Sequence, residues 1–269
     1  MRSGSLNVKA PFLALLLLAA TSVLAQPAKS VFLEDLTWTE LRDQVAAGKT
    51  TIVVPIGGTE QSGPHMALGK HNVRAKVLSG KIAAELGNAL VAPVVAYVPE
   101  GATAPPSQHM RFPGTITVAD DAFEKTLESA ARSFKLHGFK DVVFLGDHGG
   151  YQKNLVAVAN RLNREWAKTA TRAHAIREYY DAADTAYAEA LKRRGISAEA
   201  IGTHAGLADT SLTLAIDPSL VRSGRLADPP NARDGVYGDP RKASAELGRI
   251  GVDLVVGSTV AAIKKATRR

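Results

Sequence analysis

TTIVVPIGG, residues 50–58, is the stretch that decides the architecture. Apart from Pro55, every residue from Thr50 to Ile56 is β-branched. A run with no polar alternation reads as a strand buried on both faces, and Gly57-Gly58 closes it. Working outward, helical spacing over Val73–Leu86 stops at Gly87, and Leu90–Tyr97 reads as a second strand. Asp120 and Asp121 can cap a helix that runs to Leu136, ahead of Gly138. Asp141–Leu145 (DVVFL) is a third strand followed by a helix over Tyr151–Trp166, and Arg172–Tyr180 reads as a fourth strand. Helices then follow over Asp181–Arg194, from Gly206 to about Ile216, and over Ala243–Thr267. Strands alternating with helices imply βαβ units, and hence an α/β fold with a mostly parallel central sheet covered on both faces. Ligands of such sheets bind beyond the carboxyl ends of the strands. The polar clusters do follow the strands.

Composition bounds the rest. The chain has 269 residues, 45% hydrophobic and 22% charged, which suits one large α/β domain. Arg2 and Lys9 precede an apolar run from Pro11 to Leu24, and small residues stand before Gln26. This is the pattern of a signal peptide over residues 1–25, leaving 26–269 as a single exported domain, periplasmic or secreted. The run is too short for a membrane span of about 20 residues. Losing Arg2 and Lys9 lowers the net charge from +7 to +5. Basic residues are scattered and not interleaved with aromatics, so no nucleic-acid footprint is expected, and no membrane partner once the leader is gone. With no cysteine in the chain, any metal must be held by His, Asp and Glu. Neither a Gly-X-Ser-X-Gly nucleophile elbow nor a phosphate-binding loop is present.

Three patches carry chemistry. GGTEQSGPHMALGKHN (57–72) places Glu60, His65 and His71 on a loop after the first strand. LGDHGG (145–150) puts Asp147 and His148 at the end of the third. THAGLADTS (203–211) sets His204 and Asp209 at a helix entrance. Carboxylate with imidazole is the ligand mixture of zinc and related ions. Taken singly, each His also fits a hydrogen-bonded structural role, Asp209 a helix cap, and Asp147 a group that orients His148. The Pro/Gly-rich segment Pro99–Pro113 is long and irregular, as lids and binding loops are.

In this order the patches resemble the creatininase (creatinine amidohydrolase) family. The likeness also runs through SVFLEDLTWTEL (30–41), FPGTITV (112–118) and GVYGDPRKAS (235–244). It implies a three-layer α/β/α sandwich, a homo-oligomer, and one or two divalent ions, commonly zinc with manganese or iron. It also implies hydrolysis of non-peptide C–N bonds, such as cyclic amides, in a small-molecule substrate. Glu60 and His148 match ligand positions of the family. Ser62 stands where the family has a His, His71 where it has a bridging Asp, Gly150 where creatininase has a Glu, and Asp209 where the family has a Glu.

With the bridging carboxylate replaced by an imidazole, the resemblance implies a single ion, zinc before Mn²⁺ or Fe²⁺, on Glu60, His71, His148 and Asp209. His204 is then the proton donor, Asp209 a fourth ligand or general base, and Gln61, Ser62 and His109 bind substrate. The competing reading is a non-catalytic binding protein that kept the fold after losing ligands.

Overall fold

The computed structural model describes residues 30–268, together with Met1 and Gly4. The expected signal peptide therefore lies outside the described residues. Strand β1 (Thr51–Ile56) is buried along its whole length, and it lies between β2 (Ala89–Val91) and β3 (Asp141–Gly146). The fourth strand, β4 (Arg172–Ala175), pairs with β3, so the order is β2-β1-β3-β4 and every pairing is parallel.

Side chains alternate between two cores. Ile52, Val54, Ile56, Val142 and Phe144 face one apolar layer, while Val53, Val91, Val143 and Leu145 face the other. The first α-helix among the described residues is α1 (Trp38–Ala46), held by a capping box between Thr37 and Glu40. Crossover helices α2 (Lys70–Leu86), α3 (Asp120–Leu136) and α4 (Gln152–Glu165) link the strands. α3 and α4 cover the first core through Phe123, Leu127, Leu155 and Leu162. α2 covers the second through Leu78 and Ile82. It does so together with α5 (Glu178–Asp181), α6 (Tyr187–Lys192), α7 (Ala198–Ile201), α8 (Leu207–Ile216) and α9 (Ala245–Ala266). The result is the expected three-layer α/β/α arrangement. Among the described residues no helix is long and apolar enough to cross a membrane.

Local departures from the sequence reading have physical causes. The second strand stops at Val91, not Tyr97, because Pro93 supplies no N–H to a ladder; only an isolated bridge, Ile56 to Val95, continues the pairing. Asp120 and Asp121 lie within the first turn of α3, where they complement the helix dipole, and Ala119 is the cap residue. The fourth strand ends at Ala175, and Tyr179 enters α5 instead. The helix expected over Asp181–Arg194 is interrupted by a π-helical segment, Ala182–Ala186.

α8 and α9 pack with their backbones nearly touching. A Cβ added at Gly248 would lie 1.8 Å from the carbonyl oxygen of Ser211 and 2.8 Å from Ala215 Cβ. Neither neighbour can give way, since one is backbone inside a helix. Gly248→Val is therefore expected to destabilise the fold by about 3 kcal/mol, read as a lower urea midpoint. An unchanged midpoint would refute the close packing.

Candidate metal centre

The site lies beyond the carboxyl ends of β1 and β3. Leaving β1, the chain makes a tight approach to α2. A Cβ on Gly57 would fall 2.2 Å from Asn72 Oδ1 and 2.8 Å from Asn72 Cα, so only glycine lets the loop pass. The Asn72 side-chain oxygen accepts from Gly58 N–H at 3.0 Å, and Glu60 N–H donates to Leu68 C=O at 3.1 Å. These bonds place the Glu60 side chain, 0% exposed, at the centre of the cluster.

Four groups converge there. Glu60, Glu100, His109 and His148 each offer one ligand atom, and these atoms lie within 4.8 Å of one another. From Glu60 Oε2, His109 Nε2 is 3.3 Å away and His148 Nε2 is 3.4 Å away; His148 Nε2 is 3.8 Å from Glu100 Oε2. Glu60 Oε2 and both oxygens of Glu100 are buried without a hydrogen-bond partner. Unpaired carboxylate oxygens are costly away from water. Here three of them lie beside two imidazoles, a donor set that fits a divalent ion. Gly150 N–H donates to His148 Nδ1 at 3.1 Å. Ligation through Nε2 moves the ring proton to Nδ1 and so requires the Gly149-Gly150 turn to release that bond, which two glycines allow.

The other expected ligands, His71 and Asp209, line the same cavity but fall outside this group. His71 lies between two carboxylates, with Nε2 at 2.7 Å from Glu60 Oε1 and Nδ1 at 2.5 Å from Asp147 Oδ2. Both nitrogens are thus engaged, and the ring orients Glu60 from outside the four-residue group. Asp209 is occupied in another way: Lys70 Nζ and Ala205 N–H bind Oδ2, and Arg74 Nη1 binds Oδ1 at 2.5 Å. Its carboxylate is an ion-pair partner with no free oxygen for a metal or for base chemistry. Asp147 is equally saturated, taking Arg74 Nε at 3.0 Å and Nη2 at 2.8 Å on Oδ2, and Tyr179 O–H at 2.8 Å on Oδ1.

The expected substrate groups divide. A cavity of about 290 Å³ opens over the cluster, lined by His109, His148 and His204 on one side and by Tyr180, Tyr187 and Tyr237 on another. His204 is anchored by backbone bonds with Tyr237, and its Nε2 is 3.0 Å from Gln61 C=O. The Gln61 amide nitrogen is 3.0 Å from His109 Nδ1 and 3.2 Å from His204 Nε2, so Gln61 positions both rings. Ser62 is fully buried and its hydroxyl has no partner, so it does not reach the cavity. His65 pairs with Thr210 Oγ1 at 3.0 Å.

Sequence reading missed Glu100, Lys70 and Arg74. Glu100 lies in the Pro99–Pro113 segment, where irregular, Pro/Gly-rich character marked the loop but not the residue. Lys70 and Arg74, four residues apart on one helix face, look in sequence like any solvated pair.

Electrostatics follow from burial. Burial pushes the Glu100 carboxyl up, and the Glu60 charge beside it adds to this, to about 9. Burial also raises Glu60, but the charge and hydrogen bond of His71 outweigh it and hold Glu60 well below the usual carboxylate range. Burial lowers His148 and His204 to about 4.

The pH dependence has a definite sign. Glu100 ionises near 4.5 when unfolded and near 9 when folded. Its contribution is therefore complete below 4.5 and is lost as pH rises toward 9. His148 and His204, lowered from 6.5, contribute stability that grows between about 4 and 6.5. The window from 6.5 to 9 isolates Glu100. In EDTA, urea midpoints are expected to fall across that window, and Glu100→Gln should flatten the decline; an equal slope in the variant would contradict the assignment.

Comparison with known proteins gives the family. The family model for creatinine amidohydrolase matches residues 34–263. The chain is 30% identical to creatinine amidohydrolase of Pseudomonas putida over 207 residues, covering 76% of this chain and 78% of that one. It is 28% identical to the mycofactocin precursor peptide peptidase of Mycolicibacterium smegmatis over 230 residues, 77% and 81% of the two chains. Solved structures of creatininase, among them a manganese form and a Zn–Zn type, superpose with TM-scores of 0.73 and 0.75 at 27% and 26% identity, over 90% of this chain and 100% of theirs. The chain belongs to the creatininase family of hydrolases.

Proposed function

We propose that the protein is an exported metal-dependent amidohydrolase that cleaves a non-peptide C–N bond in a small molecule at one divalent ion. The observation that carries this reading is the set of orphaned oxygens of Glu60 and Glu100 facing His109 and His148. Zinc is the first candidate and manganese the second, in keeping with the mixed oxygen and nitrogen donors and with the forms of creatininase that have been solved. When bound, such an ion lowers the pKa of a water molecule and polarises the scissile carbonyl.

The protein's own residues supply the rest. Glu60, Glu100, His109 and His148 hold the ion, and His71 and Gln61 orient Glu60, His109 and His204 by the bonds described above. His204, at the cavity wall and 3.9 Å from Glu60 Oε1 through Nδ1, is placed to pass a proton to the departing nitrogen. The cavity of about 290 Å³ lies at the small end of ligand pockets, which favours a compact substrate over an extended chain. The basic, apolar opening of residues 1–25 supports export, and kinship with creatininase supports a homo-oligomer.

The test is hydrolysis of creatinine, related cyclic amides, formamides and short peptides, with and without a chelator. Chelation should abolish turnover and Zn²⁺ or Mn²⁺ restore it, and Glu60→Ala and His148→Ala should each lose about 10³-fold or more, as expected when a group acting directly on the reaction is removed. Full activity in metal-free protein would refute the mechanism. Cleavage of peptides alone would refute the substrate class. Metal bound without any turnover would favour a binding protein on the same fold.

A further inference from the structure

Four carboxylates, Glu60, Glu100, Asp147 and Asp209, are gathered in one buried cluster, and two fixed cations face them. Lys70 and Arg74 project from the first two turns of α2, 1% and 5% exposed. They share Asp209, and Arg74 also holds Asp147. Nothing local to the helix favours them. A helix N-terminus repels positive charge, that first turn contains no acidic residue, and burying an ammonium and a guanidinium costs several kcal/mol each. Only the carboxylates brought from β3 and α8 offset this.

The two carboxyl groups those cations leave are Glu60 and Glu100, whose three remaining oxygens have no partner. We propose that Lys70 and Arg74 serve as a built-in second cation, which limits the centre to a single divalent ion and sets how tightly that ion is held. This deepens, and rests on, the metal centre proposed above. With Asp209 and Asp147 taken up by Lys70 and Arg74, only the oxygens of Glu60 and Glu100 are left for an ion. Asp209 and Asp147 are then positioning residues: they hold the cations and leave the ion to the other pair.

The experiment is a Mn²⁺ titration of the full chain, followed by calorimetry and by native mass spectrometry. The unaltered protein should take one Mn²⁺ per chain. Lys70→Met removes one positive charge beside the site and should bind Mn²⁺ about tenfold more tightly, whereas Asp209→Asn removes one negative charge and should bind it about tenfold more weakly. The double variant restores the balance and should return to within about threefold of the parent. Lys70→Arg, which keeps the charge, should behave like the parent.

Two ions per unaltered chain would overturn the inference while leaving the hydrolase reading intact. So would affinities that ignore this order. No Mn²⁺ bound by any of these proteins would instead remove the metal centre itself. Should either single variant fail to fold by circular dichroism, the parent stoichiometry and the double variant still decide.

Discussion

The constraint on which the structure turns is the burial of carboxylates beyond the ends of two adjacent parallel strands. Glu60 is completely shielded from solvent, and Asp147 nearly so. Such groups persist only where each oxygen finds a compensating partner. Everything around them follows from that requirement. His71 bridges them, Arg74 ties Asp147 to Asp209, and Tyr179 leaves the expected fourth strand to satisfy the last oxygen of Asp147. Glu60 Oε2 and both oxygens of Glu100 are the ones for which the described residues supply no hydrogen-bond partner.

The fold makes this concentration of charge tolerable. β1 and β3 are buried on both faces, so their apolar layers carry the stability and leave the strand ends free for polar work. Loops after β1 and β3, the irregular segment after β2 and the entrance to α8 all open on the same end of the sheet. Four stretches far apart in sequence therefore meet in a volume a few ångströms across. Dense packing of α8 against α9 holds the Asp209 end of the cluster in register with α2.

Against the ligand pattern that the resemblance implies, this chain differs at several positions. An imidazole stands where a bridging carboxylate is expected, a serine where an imidazole is expected, and a glycine where a carboxylate is expected. The structure shows a different set of donors drawn in, with Glu100 and His109 from the Pro99–Pro113 segment beside Glu60 and His148. Lys70 and Arg74 of α2 hold Asp209 and Asp147 in the same cavity wall.

The sequence alone determined the architecture, because it is written in local patterns. The β-branched run at Thr50–Ile56, the apolar Asp141–Leu145 and the helices between them are signals a few residues long, and so is the likeness of the motifs. It also marked Glu60, His148 and His204 as neighbours, through their shared position after strands and at a helix entrance. Their partners were decided by the tertiary structure. Whether Asp209 ligates a metal or pairs with Lys70 and Arg74 depends on what lies opposite it, 139 and 135 positions away in the chain. Glu100 is an unremarkable acid in a loop until burial beside Glu60 gives it a role. Periodicity reports which face of an element is apolar. It carries no record of which charges meet across the core, because ion pairing and desolvation are set by distances that only the folded chain defines.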